Sequence, residues 1–331
     1  MNKKPFIIAE MSGNHNKSLE RALAIVDAAA DSGAHALKLQ TYTPDTMTME
    51  GVYTITDKKS LWSGRDLYDL YKEAYTPWEW HEAIFKRAKE RGIICFSTPF
   101  DETAVDFLEK LGAPIYKIAS FEVNHIPLLK YVAKTGKPVI MSVGASTLAE
   151  IEEAIKTLKE NGCRDLTILK CTSTYPASPE DTNLLTMPDM ARLFDCQVGL
   201  SDHTMGIGVS VAAVALGASV IEKHFCLSRA EGGVDSAFSL EPQELKLLVE
   251  EASRAYLSLG KVSYEISPAE EGSRIFKRSI YAAQDIKIGD KFTRDNMKVI
   301  RPSFGLEPKY FEAQLNKVAD KNYKKGEPIT G

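Results

Sequence analysis

CQVGLSDHTMGIGVSVAAVALGASVIEKHF, residues 196–225, reads as strand, loop, helix, strand. An apolar run ends in Ser201-Asp202-His203, a helix of small residues follows, and a second apolar run ends in Glu222-Lys223-His224. Histidines at the carboxyl ends of consecutive parallel strands sit on one rim of the sheet. Taken singly, each histidine reads as a satisfied, partly buried residue. Two at matching strand ends, each beside an acid, read as neutral imidazoles flanked by carboxylates, which is the pattern a divalent metal takes.

Working outward, the same rhythm runs from Pro5 to about Gly260: a short β-branched run, a polar rim, then an amphipathic helix. Strands are predicted at Phe6–Met11, Ala36–Tyr42, Ile93–Pro99, Ile115–Ser120, Pro138–Val143, Leu166–Thr172, Cys196–Asp202 and Ser219–His224. Glycines at 33, 92, 112, 136, 162 and 217 fall where the intervening helices should stop. Eight such units in about 250 residues predict an α/β fold, a closed (β/α)8 TIM barrel rather than an open doubly wound sheet. No Gly-x-Gly-x-x-Gly follows the first strand, which argues against dinucleotide binding. The stretch from residue 42 to a helix expected near Thr76 breaks the rhythm and carries Tyr53, Trp62, Tyr68 and Tyr71. It reads either as a lid or specificity loop or as an excursion packed on the barrel.

The 331 residues suffice for one large core and a small second domain. A net charge of −4 without a basic block points away from nucleic acid. The apolar run before Glu10 is too short for a signal peptide or a membrane span, and five cysteines without a CxxC spacing read as reduced thiols, so a cytoplasmic protein is expected. After a polar linker at 263–275, short alternating runs over 276–331 predict a β-rich domain that should lean on a neighbour for want of core, leaving 1–262 to the barrel.

Barrel active sites are built at the carboxyl ends of the strands. Nearly every predicted strand offers a polar residue there: Glu10; Lys38 and Gln40; Ser97 and Thr98; Lys117, Ser120 and Glu122; Ser142; Lys170, Thr172 and Ser173; Ser201 to His203; and Glu222 to His224. Lys38 and Lys117 lie inside apolar strands, where an unpaired charge is expensive. Lysines and hydroxyls converging on one mouth suit a phosphate or carboxylate ligand. A Schiff-base lysine is the competing reading.

The runs AEMSGNHN (9–16), ALKLQTY (36–42), FSTPFD (96–101), YKIASFE (116–122), SVGAST (142–147), GLSDHT (199–204) and IEKHF (221–225) resemble the sialic acid synthase family. The resemblance covers nearly the whole chain, and the C-terminal part looks like the antifreeze-like (SAF) domain of those enzymes. Met11-Ser12, Leu39, LYDLYKEAYTPWEWH and RPSFGLEPKY lean towards the family's pseudaminic acid synthase branch, with neuraminate or legionaminate synthesis as the alternative. The resemblance implies a metal-dependent transferase that condenses phosphoenolpyruvate with the open-chain aldehyde of an acetamido sugar, releasing phosphate.

It further implies that His203 and His224 hold Mn2+ or Mg2+. Lys38, Thr98, Lys117, Ser120, Ser142 and Ser201 match positions that bind phosphoenolpyruvate, and Glu10 matches an acid that serves the attacking water. Gln40, Glu122, Ser173, Tyr175 and Asp235 match sugar-side positions; for Tyr175 a structural role is equally open. Ser173 stands where some neuraminate synthases have Asn. Arg301 matches an arginine offered to the partner subunit's site, which implies a domain-swapped homodimer; it otherwise holds the small domain to its own barrel. His15 reads as a substrate contact or as a loop-ordering residue. A non-catalytic surface-polysaccharide assembly protein is the more remote alternative.

Overall fold

The computed structural model describes residues 4–58 and 60–330. They fall into two compact units, Met1–Gly260 and Lys261–Gly331. In the first, eight parallel strands close into a barrel: β1 Phe6–Glu10, β2 Ala36–Thr41, β3 Ile94–Pro99, β4 Tyr116–Ile118, β5 Val139–Ser142, β6 Leu166–Cys171, β7 Gln197–Asp202 and β8 Val220–His224. β1 pairs with β2 on one side and β8 on the other, so Glu10 lies opposite both Lys38 and His224. Helices alternate with the strands as predicted. Their starts are set by side chains that accept an otherwise unpaired amide: Ser18 from Arg21, Asp101 from Ala104 and Thr147 from Glu150.

Alternate side chains of the strands point into the barrel. Its lower interior is a dry cluster of Ile8, Ala36, Phe96, Ile140, Leu169 and Val220. Burying each of the larger ones contributes about 1.5–3 kcal/mol. Gly199 belongs to the same inward row. A Cβ there would stand 2.3 Å from the Val220 carbonyl oxygen and 2.7 Å from Leu169 Cδ2, so the strand needs a bare backbone at this point. The outward residues meet the helices in a second, larger core that includes Ile25, Leu37, Leu108, Leu129, Ile168 and Leu248.

Several expectations change. The 42–76 stretch contains the helix Leu67–Ala74, started by the Asp66 carboxylate on the Tyr68 amide, and the barrel helix begins at His81 behind a Trp78–Trp80 turn instead of near Thr76. Pro77, which precedes that turn, disfavours helix at Thr76. The fourth strand stops at Ile118, because the chain turns into a 3-10 helix at Ser120–Glu122. The second unit is the small β-rich domain expected: among the described residues it holds the short antiparallel strands β9 Ser279–Ala282 and β10 Met297–Ile300, with further isolated bridges. It nevertheless has a core of its own, with Ile280, Ile286, Phe292, Met297, Tyr323 and Ile329 buried. Its first residues, expected as linker, include a short helix at Pro268–Glu271.

Among the described residues, no helix is long and apolar enough to cross a membrane.

Candidate active site

Two residues beyond the dry cluster, the same inward rows turn charged. Lys38 Nζ lies 2.6 Å from Glu10 Oε2 and 3.8 Å from Glu222 Oε2, and it donates to Thr98 Oγ1 at 3.2 Å. Lys117 Nζ lies 3.5 Å from Glu222 Oε1, which also accepts from Ser201 Oγ at 3.1 Å. All four charged residues are buried. Two ammonium groups and two carboxylates therefore share a water-poor mouth, where each charge is affordable only because its neighbours are present.

Burial raises the pKa of Glu10, and Lys38 counteracts this only in part. For Glu222 burial also works upward, but Lys117 and Lys38 together prevail and hold it below the usual carboxylate range. Burial likewise lowers Lys117, with Glu222 offsetting part of the effect. On Lys38 the two carboxylates outweigh burial, and its pKa rises. The two lysines are thus not equivalent: one is locked as a cation, the other is made easier to deprotonate.

Beside the quartet lies a cradle of hydroxyls. Ser120 Oγ accepts the Gly144 N–H at 2.9 Å. A Cβ on Gly144 would meet Ser173 Oγ at 2.2 Å and Ser120 Oγ at 3.0 Å, so only glycine lets these side chains close around the backbone. Ser142 Oγ is buried without a hydrogen-bond partner, the condition of a donor waiting for a ligand.

Across the mouth stand the two histidines, ring centroids 5.4 Å apart. His203 Nδ1 donates to the Thr172 carbonyl at 2.9 Å, which leaves the Nε2 lone pair available. Burial works to lower its pKa, but Cys171 and the Thr172 carbonyl raise it, and such partners make an imidazole a better donor ligand. Nδ1 carries a single proton, and its better-placed acceptor is the carbonyl, since Cys171 Sγ is 3.9 Å away. Burial and the neighbouring His203 drive the pKa of His224 well below its ordinary value, so this ring is neutral. Its Nδ1 is buried without a hydrogen bond, 3.8 Å from Asp235 Oδ2.

The acids next to the histidines in sequence do not both flank them in space. Asp202 points to the opposite face of β7 and pairs there with Lys223 at 3.2 Å. The carboxylate near His224 is Asp235, from the loop after β8, held by the Ser12 hydroxyl. Among the described residues, no group of three His, Cys, Asp or Glu side chains converges on one metal position. The two imidazoles, each with a nitrogen free of hydrogen bonds, nonetheless fit a cation that completes its shell with water or substrate oxygens.

The remaining predicted positions distribute as follows. Gln40 Nε2 donates to Glu10 Oε1 at 3.1 Å, and so does the Ser12 amide at 3.1 Å. Tyr175 is half-buried with its ring 4.4 Å from His203 and 5.2 Å from Phe238. Glu122 sits on the turn after β4, its pKa raised by burial to about 7 although Lys117 pulls the other way. His15 lies in the loop packing: its Nδ1 accepts the Lys17 amide, its Nε2 meets Thr76 Oγ1 at 3.2 Å, and its ring packs edge-on against Trp80. Lys170 bonds the Cys171 carbonyl at 2.9 Å. Arg301 is exposed in the second unit, just past β10.

The sequence shows Glu222 as a rim acid beside His224, two residues before it and so on the same face. Its place as the carboxylate between Lys38 and Lys117 emerges from the structure. Cys171 and Phe238 carried no local signal, and Ser12 and Trp62 stood out only as parts of a family motif and of the aromatic-bearing 42–76 stretch.

Residues 25–264 match the NeuB family, and residues 277–331 match the SAF domain. The chain belongs to the NeuB family. A pseudaminic acid synthase of Campylobacter jejuni is 45% identical over 99% of this chain and 96% of its own length. An N,N'-diacetyllegionaminic acid synthase of the same species is 39% identical over 99% of each. Among solved structures, an N-acetylneuraminic acid synthetase of Leptospira borgpetersenii superposes with a TM-score of 0.74 at 33% identity, covering 82% of this NeuB-family chain and 90% of that one. The motifs read from the sequence and these likenesses agree on the family.

Proposed function

We propose that this chain is a pseudaminic acid synthase, condensing phosphoenolpyruvate with open-chain 2,4-diacetamido-2,4,6-trideoxy-altrose. The observation that carries the reading is one barrel mouth that joins buried lysines and a partnerless Ser142 hydroxyl to a pair of hydrogen-bond-free imidazole nitrogens. Full-length relatives of that name support the choice of sugar.

In the reaction, C3 of phosphoenolpyruvate forms a bond to the aldehyde carbon, whose oxygen takes a proton and becomes a hydroxyl. Water adds its oxygen to C2, the C2–O bond to phosphorus breaks, and inorganic phosphate leaves. Lys38 and Lys117 neutralise the carboxylate and phosphate of the enol, with Thr98, Ser120, Ser142 and Ser201 as hydroxyl donors. Glu10, buried and tied to Lys38, Gln40 and the Ser12 amide, aims and deprotonates the water. His203 and His224 would hold Mn2+ or Mg2+, which when bound polarises the aldehyde oxygen. Gln40, Glu122, Ser173, Tyr175 and Asp235 face the sugar. Arg301 reaches the site of the partner subunit in a domain-swapped homodimer, so an Arg301→Ala subunit mixed with a His203→Ala subunit should regain activity.

Phosphate release from phosphoenolpyruvate with three sugars, assayed side by side, tests the assignment. The diacetamido-trideoxy-altrose should be turned over best. Equal or better release with N-acetylmannosamine or with the legionaminate precursor would move the chain to neuraminate or legionaminate synthesis. Release with none of them would revive a non-catalytic assembly role.

A further inference from the structure

We propose that Trp62 is the specificity wall of the sugar side, selecting a sugar whose distal end is apolar. This rests on the reading that the sugar aldehyde lies at the histidine pair. Trp62 comes from the long connection after β2, amid residues that face solvent: Leu61 is 49% exposed and Ser63 and Gly64 are exposed too, while the indole is half-buried. At this point, between exposed neighbours, the loop turns a large side chain inward. Its ring centroid lies 5.7 Å from that of Tyr175, and Tyr175 in turn packs on His203 and Phe238. Phe238 closes the other side, 4.9 Å from His224.

The indole is also pinned. Nε1 donates to the Val234 carbonyl at 3.0 Å, one residue before Asp235, the carboxylate that stands near His224. A single side chain therefore ties the loop after β2 to the loop after β8 and presents its ring to the aromatic wall. The two halves of the mouth differ sharply in chemistry. The lysine and serine half suits phosphate and carboxylate, whereas Trp62, Tyr175 and Phe238 offer polarisable faces that favour C–H and methyl groups. A 6-deoxy sugar presents a methyl at the end far from its aldehyde. A hydroxymethyl there must give up water against an aromatic face, for which an apolar site discriminates by up to roughly 10²-fold.

Steady-state kinetics of wild type, Trp62→Ala and Trp62→Phe with the 6-deoxy diacetamido sugar and with N-acetylmannosamine test this directly. Trp62→Ala should lower kcat/KM for the deoxy sugar by about tenfold or more and shrink its preference over N-acetylmannosamine, with the KM for phosphoenolpyruvate within about twofold. Trp62→Phe, which keeps a wall but loses the N–H, should retain most of the preference. Equal losses on both sugars, or a matching rise in the KM for phosphoenolpyruvate, would mark Trp62 as a packing residue and overturn the proposal. An unchanged Trp62→Ala enzyme would overturn it as well.

A binding measurement separates this from failure of the proposed reaction. The borohydride-reduced alditol of the deoxy sugar cannot react. Added to protein holding phosphoenolpyruvate, it should saturably change tryptophan fluorescence in wild type and not in Trp62→Phe, whatever the turnover assay gives. The same response in both proteins, or in neither, would sink the assignment of Trp62.

Discussion

The barrel has two interiors, and they are two residues apart. On β1 Ile8 is followed by Glu10, on β2 Ala36 by Lys38, on β3 Phe96 by Thr98, on β5 Ile140 by Ser142, and on β8 Val220 by Glu222. The lower layer is held by shape and dispersion, and its free energy depends little on pH or salt. The upper layer is held by mutual neutralisation of charges that none of the strands could bury alone. The same backbone thus supplies an apolar floor and a charged ceiling. The difference explains why the site can carry so much unpaired polarity without opening the fold.

The comparison breaks most visibly at the imidazoles. His203→Ala or His224→Ala should lower phosphate release on the order of 10³-fold or more with little change in thermal unfolding, measured on the same preparation by a phosphate assay and by calorimetry. The floor should behave in the opposite way. Phe96→Ala is expected to cost about 3–5 kcal/mol in urea unfolding while leaving turnover per folded molecule within a few-fold. A floor variant that abolishes turnover but not stability would dissolve the distinction.

Glu222→Gln tests the seam between the layers. It strands Lys38 and Lys117 with one carboxylate between them, so stability should fall by roughly 3–5 kcal/mol and affinity for phosphoenolpyruvate should change as well. Unchanged urea unfolding would show that the quartet is not mutually dependent.

Smaller effects sharpen the picture. Glu122 has its pKa raised by burial to about 7, above its ordinary value of 4.5. The native state therefore binds this proton more tightly than the unfolded chain does. The stability it contributes is full below pH 4.5 and is lost as pH rises through 7. Glu122→Gln should accordingly unfold at higher denaturant than wild type at pH 8, by roughly 1–3 kcal/mol, with the gap closing towards pH 5. A gap that does not vary with pH would mean Glu122 is charged throughout. For His15, bonded to the Lys17 amide and Thr76 Oγ1, we propose the loop-ordering role. His15→Gln should have the smallest effect of all, about 1 kcal/mol of stability with the KM for both substrates unchanged, whereas a raised KM would make the ring a substrate contact.

The closed barrel, its strand order and the polar rim were legible because period-two alternation and helix-stop glycines are local signals. The ends of β4 and of the barrel helix after Pro77 were less so, since they depend on turns set by neighbouring segments. At the site, Lys38, Lys117 and the histidines announced themselves by standing at the ends of apolar strands. Asp202 misled because adjacency in sequence places it on the opposite face of the strand from His203. Asp235, Trp62 and Phe238 gather around the histidines from loops whose approach is decided by tertiary packing, and no spacing rule reveals that. Asp235 was reached only through the family's motif. The second unit's core was underestimated because its apolar residues are dispersed among turns instead of strands.

The most direct test is phosphate release from phosphoenolpyruvate and the diacetamido-trideoxy-altrose, before and after EDTA and with Mn2+ restored. Release that EDTA abolishes and Mn2+ recovers is the predicted result, and it would assign the imidazole pair and the charged quartet to one reaction. Release indifferent to EDTA, with borohydride inactivating the protein only when substrate is present, would contradict it. The chemistry would then move to a Schiff base on a buried lysine, most readily Lys117, whose amine burial makes easier to deprotonate.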